Sequence, residues 1–375
     1  MKIKSTLFLA LLTLLLWGAL PCVAADPMVD SWYGTYDAMR KNGGFPSKSL
    51  EGPKSEAWKT PTPKRPYHIG VLFPHLKDSY WLAANYGIVD HARKLGLRIT
   101  LKEAGGYENF GNQRSQLTKL ASAGGVDGII LASVSYDTMD AALEMVSRKV
   151  PVIELINDIR APSIKGKSLV SFFEMGYKAG EFVLADSGGK NVRVAFFPGP
   201  AGSGWAPDTY KGFRAAVNTL KGPGQNVTVL EPAYGDTTQS VQKLRLKVVL
   251  GKPENKGIDY IVGNAVAAVI AADYVKQHKD EFPKTRVIST YITIDVHERI
   301  KAGEITAAPS DQTIAQCRMS LDMMVRLLNG ETPGKDFPFR SGPKIPVVTS
   351  DNLDAFPYEA LFGKKNFKPV FEVSN

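Results

Sequence analysis

The sequence predicts an α/β protein of two Rossmann-like lobes, each built on a largely parallel sheet covered by helices. Two observations predict it. From Tyr67 onward, apolar runs of strand length alternate with amphipathic runs of helix length, and after Asn157-Asp158 the same alternation starts again. Strands separated by helices pair in parallel through right-handed crossovers. The chain, at 375 residues, is also longer than one core fills comfortably.

The first stretch is of a different kind. Lys2 and Lys4 precede an apolar run over 7–19, followed by Pro21, Cys22 and Val23-Ala24-Ala25. A basic start, a short apolar centre and a small-residue exit predict a signal peptide over 1–25, cleaved after Ala24 or Ala25. The run is shorter than the roughly 20 residues that span a bilayer, and no later segment approaches that length, so the mature protein is expected to be soluble and periplasmic. Pro21 is a poor fit to the small residue that precedes a lipidated cysteine. Residues 26–66 follow as an arm, with Trp32, Tyr33, Tyr36 and Trp58 set among Gly, Ser and Lys and ending in Pro61, Pro63 and Pro66. Prolines at that density block regular structure, and the aromatics suggest that the arm lies against the body.

The body then reads in order. Strands are expected over 68–73, 97–101, 128–132 and 150–156, with helices over 80–95, 112–123 and 139–148 between them. The second round places helices over 174–185, 209–220, 238–250 and 265–278. Its strands are expected over 192–197, 227–230, 260–262 and 287–291.

Composition excludes some classes. The chain is 44% hydrophobic and 22% charged, ordinary for a globular protein, and its net charge of +9 is scattered. No Lys/Arg stripe interleaved with aromatics suggests nucleic-acid binding. Residues 161–168 nearly spell a phosphate-binding loop, but Ala161 replaces its first glycine and Pro162 stiffens it, so a basic surface turn is expected. Ser187-Gly-Gly-Lys190 follows a helix and does not open one, and the histidines at 68, 75, 91, 278 and 297 lack metal-ligand spacing. No catalysis, metal or cofactor is therefore expected. Cys317, in a helical pattern, reads as a buried bystander.

What stands out is aromatic. In open α/β sheets ligands sit at the carboxyl ends of strands. The first strand is followed by Asp78, Tyr80 and Trp81, the second by Glu103-Ala-Gly-Gly106 and Tyr107. Asp78 reads equally as a helix cap and as a ligand contact. Tyr80 and Trp81 point about 100° apart on a helix, so one can face a cleft while the other packs. The second half offers Phe172, Trp205 and Tyr291 at comparable places, with Asn157, Asp158, Asn264 and Asp311 as polar candidates. Such a cleft suits a small, weakly polar or methylated ligand, because aromatic faces hold a trimethylated nitrogen. Sugars also stack on aromatics and remain the competing class.

Leu76-Lys-Asp-Ser-Tyr-Trp-Leu82 with Asn85-Tyr-Gly87, then Glu103-Ala-Gly-Gly-Tyr107, resemble the TorT-like periplasmic binding proteins of the trimethylamine N-oxide (TMAO) reductase regulatory system. Further matches are Val152-Ile-Glu-Leu155, Met175-Gly-Tyr177, Pro198-Gly-Pro200, Gly212-Phe-Arg-Ala-Ala216 and Ser310-Asp-Gln312. The resemblance runs from Tyr67 to Val373. Departures fall in the second lobe: Phe172 where relatives have Trp, the 201–208 loop, and Thr293-Ile294.

The resemblance implies a type I periplasmic binding protein fold, with lobe 1 over 67–157 plus 312–341 and lobe 2 over 158–311 plus 342–375, joined by a three-crossing hinge. It implies Tyr80, Trp81 and Tyr107 as ligand contacts, TMAO or a relative as ligand, and the periplasmic sensor domain of a histidine kinase as partner. The alternative on the same fold is the substrate-binding protein of an ABC importer for a sugar or other small solute.

Overall fold

The computed structural model describes residues 26–37 and 50–374; the segment 1–25, with Cys22, lies outside them. The arm supplies strands β1 (Met28–Tyr33) and β2 (Glu51–Ala57). The first round follows as β3 (His68–Phe73), α1 (Ser79–Leu95), β4 (Arg98–Glu103), α2 (Phe110–Ser122), β5 (Gly128–Leu131), α3 (Asp140–Ser147), β6 (Val152–Leu155) and β7 (Gly166–Ser168). The second is α4 (Phe172–Ser187), β8 (Val192–Phe197), α5 (Trp205–Thr219), β9 (Val227–Val229), α6 (Gln239–Leu250), β10 (Tyr260–Gly263), α7 (Ala265–Gln277), β11 (Arg286–Ser289), α8 (Ile294–Lys301) and β12 (Ala307–Pro309). The chain closes with α9 (Thr313–Leu328), β13 (Arg340–Pro343), β14 (Val347–Thr349), α10 (Tyr358–Phe362) and β15 (Glu372–Val373).

Two sheets result. One runs β15-β4-β3-β5-β6-β7-β13-β1-β2 and the other β14-β12-β11-β10-β8-β9. Their centres are parallel; β1, β2, β15 and β14 pair antiparallel. Each sheet buries apolar side chains on both faces, Val71 and Phe73 opposite Leu72 and Ile129 in the first, Ala195 and Phe197 opposite Val194 and Phe196 in the second. Two covered faces are what make the strands near-continuous apolar runs. Connections pass between the sheets at 169–171, 310–312 and 344–346, and the tail returns to the first sheet at β15. Among the described residues no helix is long and apolar enough to cross a membrane.

Three boundary readings need correction. Residues 166–168, expected in lobe 2 as a surface turn, form β7, hydrogen-bonded between β6 and β13 in the middle of the first sheet. Within 342–375, expected in lobe 2, Gly342 and Pro343 of β13 and all of β15 belong to the first sheet; only β14 joins the second. The arm is not devoid of regular structure, since β1 pairs with β13 and extends that sheet. Pro53 is tolerated because β2 is its edge. The arm does lie against the body: Trp58 Nε1 donates to Asp322 Oδ2 at 2.8 Å, and Tyr36 stacks on Phe339 at 5.0 Å.

β7 was hidden because its centre is a buried lysine. Lys167 Nζ lies 2.5 Å from Asp158 Oδ1 and 3.0 Å from Glu154 Oε2, beneath the Tyr36 ring. Burial pushes the Glu154 carboxyl up to about 8, against the pull of Lys167. Its folded value thus exceeds the unfolded ~4.3, so the native state holds a proton that the unfolded chain releases. That contribution is complete below the unfolded value and is lost as pH rises through about 8. We therefore expect the melting temperature to fall between roughly pH 5 and 8 more steeply in the wild type than in Glu154→Gln; parallel profiles would refute the assignment.

Two glycines set the approach of α4 to α5. A Cβ on Gly176 would sit 1.8 Å from the Thr209 carbonyl oxygen, and one on Gly212 the same distance from that of Phe173. The helices therefore touch backbone to backbone. Gly212→Ala should cost ~1–3 kcal/mol, the range for an overpacked contact. It should also weaken ligand binding, because α4 and α5 carry Phe172 and Trp205 at their first residues. Chemical denaturation and a ligand titration on the same variant check both.

Candidate ligand site

The carboxyl ends of the strands deliver side chains from both lobes to one place. α1 begins where Asp78 Oδ1 accepts the Trp81 N–H at 3.0 Å and ends at Gly96 in the left-handed conformation. Its first turn therefore carries Tyr80 and Trp81 at the top of β3. Beyond β4, Gly105 and Gly106 both adopt positive φ, 93° and 152°, and turn the chain so that Tyr107 comes back over Trp81. β6 is followed by Ile156, a β-branched residue at φ 64°, a conformation such residues rarely adopt. Asn157 follows, donating to the Ser133 carbonyl at 2.7 Å and to the Tyr107 hydroxyl at 3.3 Å. From the other lobe, α4 opens at Phe172 behind the Ser171 cap, α5 opens at Trp205, and Tyr291 follows β11.

The rings form a connected cage. Tyr80 meets Trp81 edge-on with centroids 5.5 Å apart and meets Tyr291 of the other lobe at 5.6 Å. Tyr291 meets Trp205 at 5.9 Å, and Trp205 meets Phe172 at 6.4 Å. His75 stands edge-on between Trp81 and Tyr107. The cage encloses about 30 Å³, lined by Asp78, Tyr80, Trp81, Tyr107, Ile156, Asn157, Phe172, Trp205, Thr237, Tyr291 and Asp311. One water needs ~10–15 Å³ on that measure, so the space suits a compact solute of a few heavy atoms.

Few polar groups face it, and Asp78, Asn157 and Asp311 are held by hydrogen bonds. Asp311 is buried and accepts from the Tyr80 hydroxyl at 2.5 Å and from Gln316 Nε2 at 2.9 Å. Gln316 Oε1 in turn accepts the Val170 N–H, tying this carboxylate to another connection between the lobes. Burial raises the pKa values of Tyr80 and Tyr291, and nearby carboxylates raise them further. Burial also raises that of Tyr107, outweighing the Asn157, Trp81 and Trp205 donors around its hydroxyl. The tyrosines are therefore neutral; Tyr80 donates its proton to Asp311, and Tyr107, which accepts from Asn157, keeps its own to donate. The arrangement offers ring faces, hydroxyl donors and partly buried carboxylates.

Of the residues singled out from sequence, nine line this cavity, while Asp158, paired with Lys167, and Asn264 do not. Asn264 is fully buried as the cap of α7, its Oδ1 accepting from Ala267 N and its Nδ2 donating to Phe197 O, so its polar atoms serve the fold. Asp78 both caps α1 and lines the cavity. Ile156 and Thr237 were not anticipated; Thr237 sits in the polar turn before α6, where only the density of turn residues hinted at it. Cys317 is buried on α9 against the position of Gly87 and lines no part of the cavity. Cys317→Ser should leave ligand affinity unchanged, a point a calorimetric titration checks directly.

Residues 69–332 match the family model of the periplasmic binding protein domain. The chain belongs to that family. It is 33% identical over 309 residues to the periplasmic protein TorT of Escherichia coli (strain K12), covering 82% of this chain and 85% of that protein, which bears out the TorT-like resemblance read from the motifs. Among solved structures, an ABC transporter solute-binding protein from Bradyrhizobium sp. BTAi1 with bound bis-tris superposes with a TM-score of 0.75. It is 34% identical and covers 92% of this chain and 98% of its own. TorT in complex with the TorS sensor domain in the presence of TMAO superposes with a TM-score of 0.71 at 27% identity, covering 81% and 99%. The fold of two α/β lobes is thus that of the periplasmic binding proteins, a ligand-binding family.

Proposed function

We propose that this member of the periplasmic binding protein family is a sensor that takes TMAO, or a related small methylated amine, in the inter-lobe cleft and reports occupancy to the sensor domain of a membrane histidine kinase. The observation that carries the ligand class is the cage: six aromatic side chains from both lobes around about 30 Å³. N-methyl groups on a positively charged nitrogen are attracted to ring faces. An N-oxide oxygen then needs one or two donors, which the neutral Tyr107 and Tyr291 hydroxyls supply, while Asn157 holds the Tyr107 oxygen in place. Because both lobes contribute rings, ligand favours the closed arrangement and shifts its population. Similarity to TorT supports the sensory role, and the basic start followed by an apolar run supports export to the periplasm.

A second reading has its own observation. The Bradyrhizobium solute-binding protein covers 92% of this chain, more than TorT does, and so reaches into the arm. On that reading the same cleft serves an importer.

The partner separates them. Mature protein, residues 26–375, mixed with a TorS-type periplasmic sensor domain should sediment as a complex whose stability changes with TMAO. Failure to associate, together with ligand-dependent stimulation of an ABC permease ATPase, would replace sensing with transport.

A further inference from the structure

Beside the cage lies a larger space, about 440 Å³, that shares Asp78, Tyr107 and Thr237 with it and opens between the lobes. Its charge is opposite to that of the chain. The protein carries a net +9, yet this vestibule is lined by Asp78, Glu108, Asp236 and Asp295 against Lys77 alone. Among the described residues none of these four carboxylates has an ion-pair partner, and the Lys77 ammonium is tethered to the Gly105 carbonyl.

His75 is the second observation. It is 6% exposed and lines the same vestibule, edge-on to Trp81 and Tyr107. Its Nδ1 accepts the Lys77 N–H at 3.4 Å, which leaves Nε2 without a hydrogen-bond partner among the described residues. Burial holds the imidazole below its usual range, against the pull of Asp78. A neutral ring adds no positive charge to the vestibule, so the acidic lining stays uncompensated on that side.

We propose that the vestibule is a second subsite, which takes a positively charged tail on a ligand whose methylated ammonium head fills the cage, so that the protein binds organic cations longer than TMAO. The proposal rests on the cage reading for the head and adds the tail. The four carboxylates come from both lobes: Asp78 and Glu108 beyond strands of the first, Asp236 in a loop and Asp295 in the first turn of α8 in the second. A cationic tail between them relieves their mutual repulsion as the lobes approach, and partly solvated charges at this range are worth about tenfold in affinity.

The test is a calorimetric titration of residues 26–375 with four probes: TMAO, choline, (2-aminoethyl)trimethylammonium and glycine betaine. These share a methylated head and differ in the tail. At low salt the dication should bind about tenfold tighter than choline and betaine about tenfold weaker, with both ratios shrinking at high salt. In the Asp236→Asn/Asp295→Asn variant, which keeps Asp78 and Glu108, the ratios should fall to about threefold while TMAO affinity stays within about twofold. Asn keeps the Asp236 acceptor for the Thr238 N–H, and Asp295 is exposed, so the variant folds. Equal affinities across the tails, or ratios that persist in the variant, overturn the subsite and leave the cage standing. Silence from all four probes, TMAO included, removes the cage reading and the subsite with it.

Discussion

Trp81→Ala should lower ligand affinity by two orders of magnitude or more and also destabilise the fold by ~3–5 kcal/mol. Both effects have one origin. The indole is 2% exposed and packs on Phe73 at 5.0 Å, so its inner face belongs to the core of the first lobe. Its other edge meets Tyr80 and His75 and lines the cavity. The sequence divides packing and binding between Tyr80 and Trp81, and truncation at Trp81 would then spare the fold; the structure gives this one side chain both tasks. Trp81→Phe separates them: it should retain most of the stability, since an aromatic ring still fills the site, yet bind about tenfold more weakly. Denaturation midpoints and titrations on the two variants check this. Undiminished binding by Trp81→Ala would show that the ligand sits elsewhere.

Lys167→Met should be as costly to the fold. The ammonium is 2% exposed and lies 2.5 Å from Asp158, itself buried. Removing one partner of a buried pair leaves a charge without compensation, at ~3–5 kcal/mol. The damage should reach the ligand, because Asp158 follows Asn157, which holds the Tyr107 hydroxyl. Lys167→Met with Asp158→Asn should recover much of the loss, since the stranded charge is then gone. Urea unfolding of the single and double variants measures this; a single-variant loss under ~1 kcal/mol would mean that water reaches the site.

These two cases mark where the sequence was legible and where it was not. The repeated strand–helix rhythm is local and showed two lobes, because a sheet covered on both faces needs apolar strands. Tyr80, Trp81, Tyr107 and Trp205 were visible as aromatics at strand exits, where open sheets bind ligands. β7 was invisible because Lys167 is polar by type and buried only by virtue of partners brought to it by the fold. β15 was misplaced because two residues pairing with β4 carry no signal of which sheet they join. Asn264 looked like a site residue because a capping side chain and a ligand contact use the same chemistry, and the sequence does not show which way it turns. The strained Ile156 backbone likewise follows from tertiary constraint, not from its own preference.

The most direct test of the ligand cage is thermal unfolding of residues 26–375 against TMAO, related methylamines and common sugars. A ligand that binds only the folded state must raise the midpoint with its concentration. The cage predicts a saturable rise with TMAO or a methylamine that needs about tenfold more ligand to reach the same size in Trp81→Phe. A rise with a sugar and none with any methylamine would contradict it.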